Sequence, residues 1–148
     1  MKNIKESMQQ ELNELNKAND VLTYSYKKCA KIGMKDDLSD EELESFEALT
    51  GRFARLSDIV IQKVLRYFDA LDLDETGTVR DRINRAEKKG VIENAETFIQ
   101  IRLLRNEIAH EYKSDAIYAI FESVLELTPI LLKSIESIIA YSTRYKNM

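Results

Sequence analysis

Histidine is the side chain whose charge changes near neutral pH, and this chain has one, His110, in the segment IRLLRNEIAHEYK. An imidazole there could take or give a proton. Five residues earlier Arg105 supplies a guanidinium that stays charged and could receive something negative. On a helical wheel of about 100° per residue, Phe98, Ile101, Leu104, Ile108, Ala109 and Tyr112 share one broad face, and Arg105 falls near its middle. Burying a guanidinium is costly unless carboxylates or a bound anion compensate. Arg105 is therefore expected to snorkel, to pair with a carboxylate, or to line a cleft that receives something negative.

The opposite side of the same helix carries Ile99, Leu103, Asn106 and His110, and a helix apolar on two sides packs on two sides. Its second partner is either another helix of the same bundle or a second subunit. Arg105 and His110 stand about 140° apart on a straight helix. Either the helix loosens before His110, or the working site joins groups from two chains. The second arrangement suits a reaction that needs a base and an acid together, such as cleavage of RNA through its own 2′-hydroxyl, because two chains own two imidazoles.

The elements that must position these groups are readable from apolar spacing and punctuation. Met8, Leu12, Leu15, Leu22, Tyr26 and Cys29 recur at helical steps and predict a first helix over about 3–32, with Cys29 as a small core residue. Ser39 or Asp40 is placed to cap a second helix that runs to about residue 70 on the stripe Leu43, Phe46, Leu49, Phe53, Leu56, Val60, Val64 and Tyr67. Arg52, Arg55, Lys63 and Arg66 lie on its other faces, as solvated charge or as part of an anion-binding surface.

Thr78, with Asp81 as an imperfect capping-box partner, opens a short helix over about 79–89 that Gly90 stops. Asn94 opens the helix over about 95–112, and Ser114 and Asp115 open a last helix, which Pro129 is expected to kink. Four long antiparallel helices and one short one, joined by short loops, predict an all-α, up-and-down four-helix bundle with one additional short helix, a single domain over 1–148.

Composition narrows the function. The 148 residues are 44% hydrophobic with only 4 Gly and 1 Pro, too apolar for disorder and too poor in turn residues for a many-stranded fold. A net charge of −4 argues against broad nonspecific coating of nucleic acid and leaves room for a local basic site. One cysteine forms no intrachain disulfide and no Cys cluster exists to hold zinc, so a cytoplasmic setting is expected. The start lacks the apolar stretch of a signal peptide and no run suits a membrane span, so neither export by that route nor membrane embedding is expected.

Arg105, Asn106, His110 and Tyr112 together form R-N-x-x-x-H-x-Y, which resembles the R-x(4–6)-H motif of the HEPN superfamily of helical-bundle ribonucleases. With the preceding GTVRDRINRAEKKGVI it is similar to the HepT group of HEPN toxins over about residues 76–112, whereas the first, second and last helices agree only in type and order. Where family proteins often carry a larger aliphatic residue before the histidine, this chain has Ala109.

The resemblance implies a metal-independent endoribonuclease, without cofactors, acting at a homodimeric cleft. His110 would serve as general base or acid, Arg105 would stabilise the phosphorane, and Asn106 would hold or orient the site. It also implies a partner, the minimal nucleotidyltransferase antitoxin MntA, which would transfer AMP to Tyr112 and so block the cleft by bulk and like charge. The basic cluster Arg80, Arg82, Arg85, Lys88 and Lys89 reads either as a solvated face or as an RNA-backbone contact. The other reading of the bundle is a non-catalytic partner that docks onto a nucleotidyltransferase and helps it hold substrate.

Overall fold

The computed structural model describes residues 3–110 and 114–146, and the side chains of 114 and 115 lie outside that description. Among the described residues the chain is all-helical, a helical bundle with one additional short helix. Helix α1 is Ile4–Ile32, α2 Asp40–Asp58, α3 Leu65–Leu71, α4 Val79–Lys88, α5 Ala95–His110 and α6 Ser114–Ser142, followed by a 3-10 turn at Thr143–Tyr145. A π-helical segment, Ile59–Val64, joins α2 to α3, so these three form the one long helix expected from the apolar stripe.

Local chemistry sets the helix ends. The Asn3 side chain accepts from the Glu6 amide at 2.8 Å and starts α1. Of the two candidate caps for α2, Ser39 does the work: its hydroxyl accepts from the Glu42 amide at 3.2 Å, while the Glu42 carboxylate accepts from the Ser39 amide at 2.9 Å. Lys35 donates to the same carboxylate, and these contacts hold Glu42 below the usual carboxylate range.

Thr78 and Asp81 make a complete box at the start of α4, at 2.8 and 3.2 Å, despite the shorter aspartate arm. Gly77 is what allows it. Its φ is +86°, and a Cβ there would lie 2.3 Å from Asp81 Oδ2. Gly77→Ala is therefore expected to lose about 1–2 kcal/mol from the backbone alone and to break the box besides. A urea titration showing an unchanged midpoint would contradict this. Beyond α4, Gly90 at φ +77° lets the Val91 amide turn back to the Ala86 carbonyl at 2.9 Å, and Asn94 Oδ1 accepts from the Thr97 amide at 3.0 Å to start α5.

The core is shared by all four long helices. Leu15, Leu22 and Cys29 of α1 are fully buried with Phe46, Leu49 and Phe53 of α2 and Val124, Leu131 and Ile138 of α6. Burial pushes the Cys29 thiol up, as suits a packed residue. Phe46 stacks on Phe121 with centroids 5.2 Å apart, and the Tyr118 hydroxyl accepts from the Leu38 amide at 2.9 Å, tying the α1–α2 connection to α6. Helix α6 continues through Pro129, where Thr128 is fully buried and its hydroxyl donates to the Val124 carbonyl at 2.6 Å. Helix α5 packs on α2, α4 and α6, which fixes the face that carries Arg105 against the end of α2.

Candidate functional site

The widened turn at Ile59–Val64 shapes the site. Ile59, Val60 and Ile61 are three successive buried residues, so the chain is enclosed on more than one side at this point. The segment opens to π geometry, with the Leu65 amide donating to the Val60 carbonyl five residues back. Arg82 reaches across from α4 and its Nη1 donates to the Ile61 carbonyl at 3.1 Å. The run Ile-Val-Ile is buried throughout, and a reading based on a single apolar stripe passes over it.

Asp58, the last residue of α2, faces Arg105 across the gap to α5. Arg105 Nε donates to Asp58 Oδ1 at 2.7 Å and Nη2 to Oδ2 at 2.9 Å, a two-pronged pair that fixes the plane of the guanidinium. The hydrogen bonds to Asp58 push the Arg105 pKa up against the opposing effect of burial. Both side chains remain about one-third exposed, so the pair sits at a rim rather than in the core. Beside it lies a cleft of about 290 Å³ lined by Ser57, Gln62, Lys63, Arg102 and Asn106 as well as the pair itself. Arg105 thus both pairs with a carboxylate and lines a cleft, two of the three outcomes its sequence position allowed. The fork engages one edge of the guanidinium and leaves its remaining N–H groups for a ligand.

Asn106 joins Arg105 at this cleft, and His110 does not line it. Helix α5 is regular through His110, so the imidazole lies about 140° around the axis and about 7.5 Å along it from Arg105. His110 is exposed, on the side of α5 that also carries Leu103, which is 54% exposed. Within one chain, then, the guanidinium and the imidazole open on different sides of α5. Tyr112 lies outside the described residues.

The basic cluster of α4 divides in two. Arg80 and Lys88 are exposed, while Arg82, Arg85 and Lys89 turn inward onto carboxylates at the end of α3. Asp69, 4% exposed, receives Arg85 at 2.8 Å, Lys89 at 3.3 Å and Arg82 at 3.8 Å. Asp72 accepts from Lys89 at 2.9 Å and from the hydroxyls of Tyr141 and Tyr145 at 2.5 and 2.6 Å, which draws the end of α6 into the same network. Burial pushes the Asp72 carboxyl up, but the hydrogen bonds from Tyr141, Tyr145 and Lys89 outweigh it and hold the group below its ordinary value.

A wider groove of about 660 Å³ lies between α1 and α2, where Glu41, Glu42 and Glu44 face Lys28 and Arg52. Its carboxylates make it a poorer seat for an anion than the cleft at Arg105. Among the described residues no group of three or more His, Cys, Asp or Glu is placed to hold a metal ion, and no helix is long and apolar enough to cross a membrane.

No protein-family model and no curated protein matches this chain. Any functional reading rests on the residues and their arrangement.

Proposed function

We propose that this protein is an endoribonuclease of the toxin type that works as a homodimer on RNA without a metal ion. The observation that carries the reading is Arg105, a guanidinium locked in plane by Asp58 at a basic cleft, on the same helix as the chain's one imidazole. The resemblance of R-N-x-x-x-H-x-Y to the HEPN motif supplies the chemistry, including metal independence. His110 removes the proton from a 2′-hydroxyl, whose oxygen attacks the adjacent phosphorus. Arg105 stabilises the charge on the phosphorane, and Asn106 orients the phosphate. His110 of the partner subunit protonates the departing 5′ oxygen, leaving a 2′,3′-cyclic phosphate and a free 5′-hydroxyl. A second copy of α5 packed on the Leu103 side would bring the two imidazoles toward each other, and Asn106, about 40° around α5 from His110, links that side to the Arg105 cleft it lines.

The same resemblance assigns control to a minimal nucleotidyltransferase that adds AMP to Tyr112. The added phosphate carries negative charge into a region that needs to accept RNA phosphates.

Two measurements on the purified protein test this reading. In light scattering it is expected at twice the chain mass of 17.2 kDa, and with EDTA present it is expected to cleave single-stranded RNA. A monomer, or a dimer that leaves every RNA intact and does not slow growth when expressed alone, contradicts the nuclease and favours a docking partner of the nucleotidyltransferase.

A further inference from the structure

The cleft holds more positive charge than the Arg105–Asp58 pair explains. Lys63 of the π segment and Arg102, one helical turn before Arg105 on α5, both line it. Among the described residues neither has a carboxylate within ion-pair distance, and Asp58, the one acidic residue on the wall, is already engaged by Arg105. Arg102 is partly buried and its Nε is buried with no hydrogen-bond partner. An unmatched buried donor is unfavourable in the free protein, and a ligand that removes the mismatch gains what the empty cleft lacks.

The surroundings reinforce this. Burial pulls the Arg82 guanidinium below its ordinary value, Asp69 opposes, and the like charges of Arg66, Arg85 and Arg102 add to the fall. Three guanidiniums thus act on Arg82 across the α4–α5 side of the π segment. Asp69 matches Arg82 and Arg85, which leaves Arg102 and Lys63 as the cations of this region without a paired carboxylate among the described residues, in a chain whose net charge is −4.

We propose that Lys63 and Arg102 form a second phosphate seat beside Arg105, holding the RNA phosphate next to the scissile one. The proposal rests on the ribonuclease reading and adds a substrate contact to it. Arg105 takes the phosphate that reacts; Lys63 and Arg102 take its neighbour and fix the register of the strand. Gln62 lines the same cleft with a neutral amide. A backbone with a charge on every nucleotide engages both seats at once, which a single free phosphate cannot do.

The test is fluorescence anisotropy with a single-stranded 2′-O-methyl oligonucleotide, which binds but has no free 2′-hydroxyl to react. Lys63→Ala, on an exposed side chain, and Arg102→Gln are each expected to weaken binding about tenfold and to lower the slope of log affinity against log salt by about 0.7. Thermal melts accompany both, and the Lys63 variant carries the test if Arg102→Gln unfolds. Lys133→Ala, on an exposed side chain that does not line the cleft, is expected to keep the wild-type affinity and slope. If the wild type cleaves RNA while both variants bind it with unchanged affinity and slope, the second seat is wrong and the nuclease reading stands. If ADP binding responds to the variants and RNA binding does not, the seat belongs to a free nucleotide and the proposal falls. If the wild type neither binds nor cleaves RNA, both fall together.

Discussion

His110→Ala is expected to lower the cleavage rate by about 10²–10⁴, the range a positioned acid or base contributes, with KM little changed. The side chain is exposed, so the unfolding free energy should stay within the spread of surface substitutions, about 0.5 kcal/mol. Unchanged stability separates lost chemistry from lost fold. Arg105→Lys should also lose rate, because an ammonium cannot make the two-pronged contact with Asp58 that orients the planar guanidinium. A His110→Ala protein that cleaves within threefold of wild type would remove the imidazole from the reaction.

The largest expected effect on stability is at Asp69. Its carboxylate is 6% exposed and faces Arg82, Arg85 and Lys89, each less than a quarter exposed. Asp69→Ala removes the carboxylate common to all three, and breaking a buried pair by removing one partner costs about 3–5 kcal/mol. Lys89 keeps Asp72 and Asp74, at 2.9 and 3.2 Å, so the lower end applies: about 3 kcal/mol, or roughly 6–12 °C in Tm. Asp69→Asn, which keeps the shape and loses the charge, separates electrostatics from packing. A Tm within about 2 °C of wild type, a change of roughly 0.5–1 kcal/mol, would show that the network is ornamental.

The same network gives stability a pH dependence with a defined sign at each end. The Asp72 carboxyl is held below its unfolded value, so its contribution is present above about pH 4 and is lost as pH falls through the folded value. Burial and the Asp72 hydrogen bond push the Tyr141 hydroxyl up. Lys89 is also raised, because its bonds to Asp72 and Asp74 outweigh burial. Their contributions are complete below about pH 10 and decline as pH rises toward the folded values. Urea midpoints are therefore expected to fall at both extremes, and Asp72→Asn should flatten the acid limb.

This division of labour explains what the basic run Arg80, Arg82, Arg85, Lys88 and Lys89 could and could not reveal as sequence. Five cations within ten residues on a short helix read as one surface. In the fold α4 turns one face to α3, and Asp69 and Asp72 engage the three cations on that face, leaving Arg80 and Lys88 outside. The cleft lined by both Lys63 and Arg102, by contrast, brings together residues 39 positions apart that no local pattern connects.

Helix limits, caps and the apolar stripe were determined by the sequence alone, because they depend on groups three or four positions apart: Ser39 with Glu42, Thr78 with Asp81, Phe46 with Leu49. The motif R-N-x-x-x-H-x-Y was equally local. What became of Arg105 was decided by tertiary structure, since its carboxylate partner lies 47 residues earlier and meets it only where α2 widens into the π segment beside α5. Short-range hydrogen bonding and periodicity are written along the chain, whereas the neutralisation of a charge depends on which other side chains packing brings within a few ångströms.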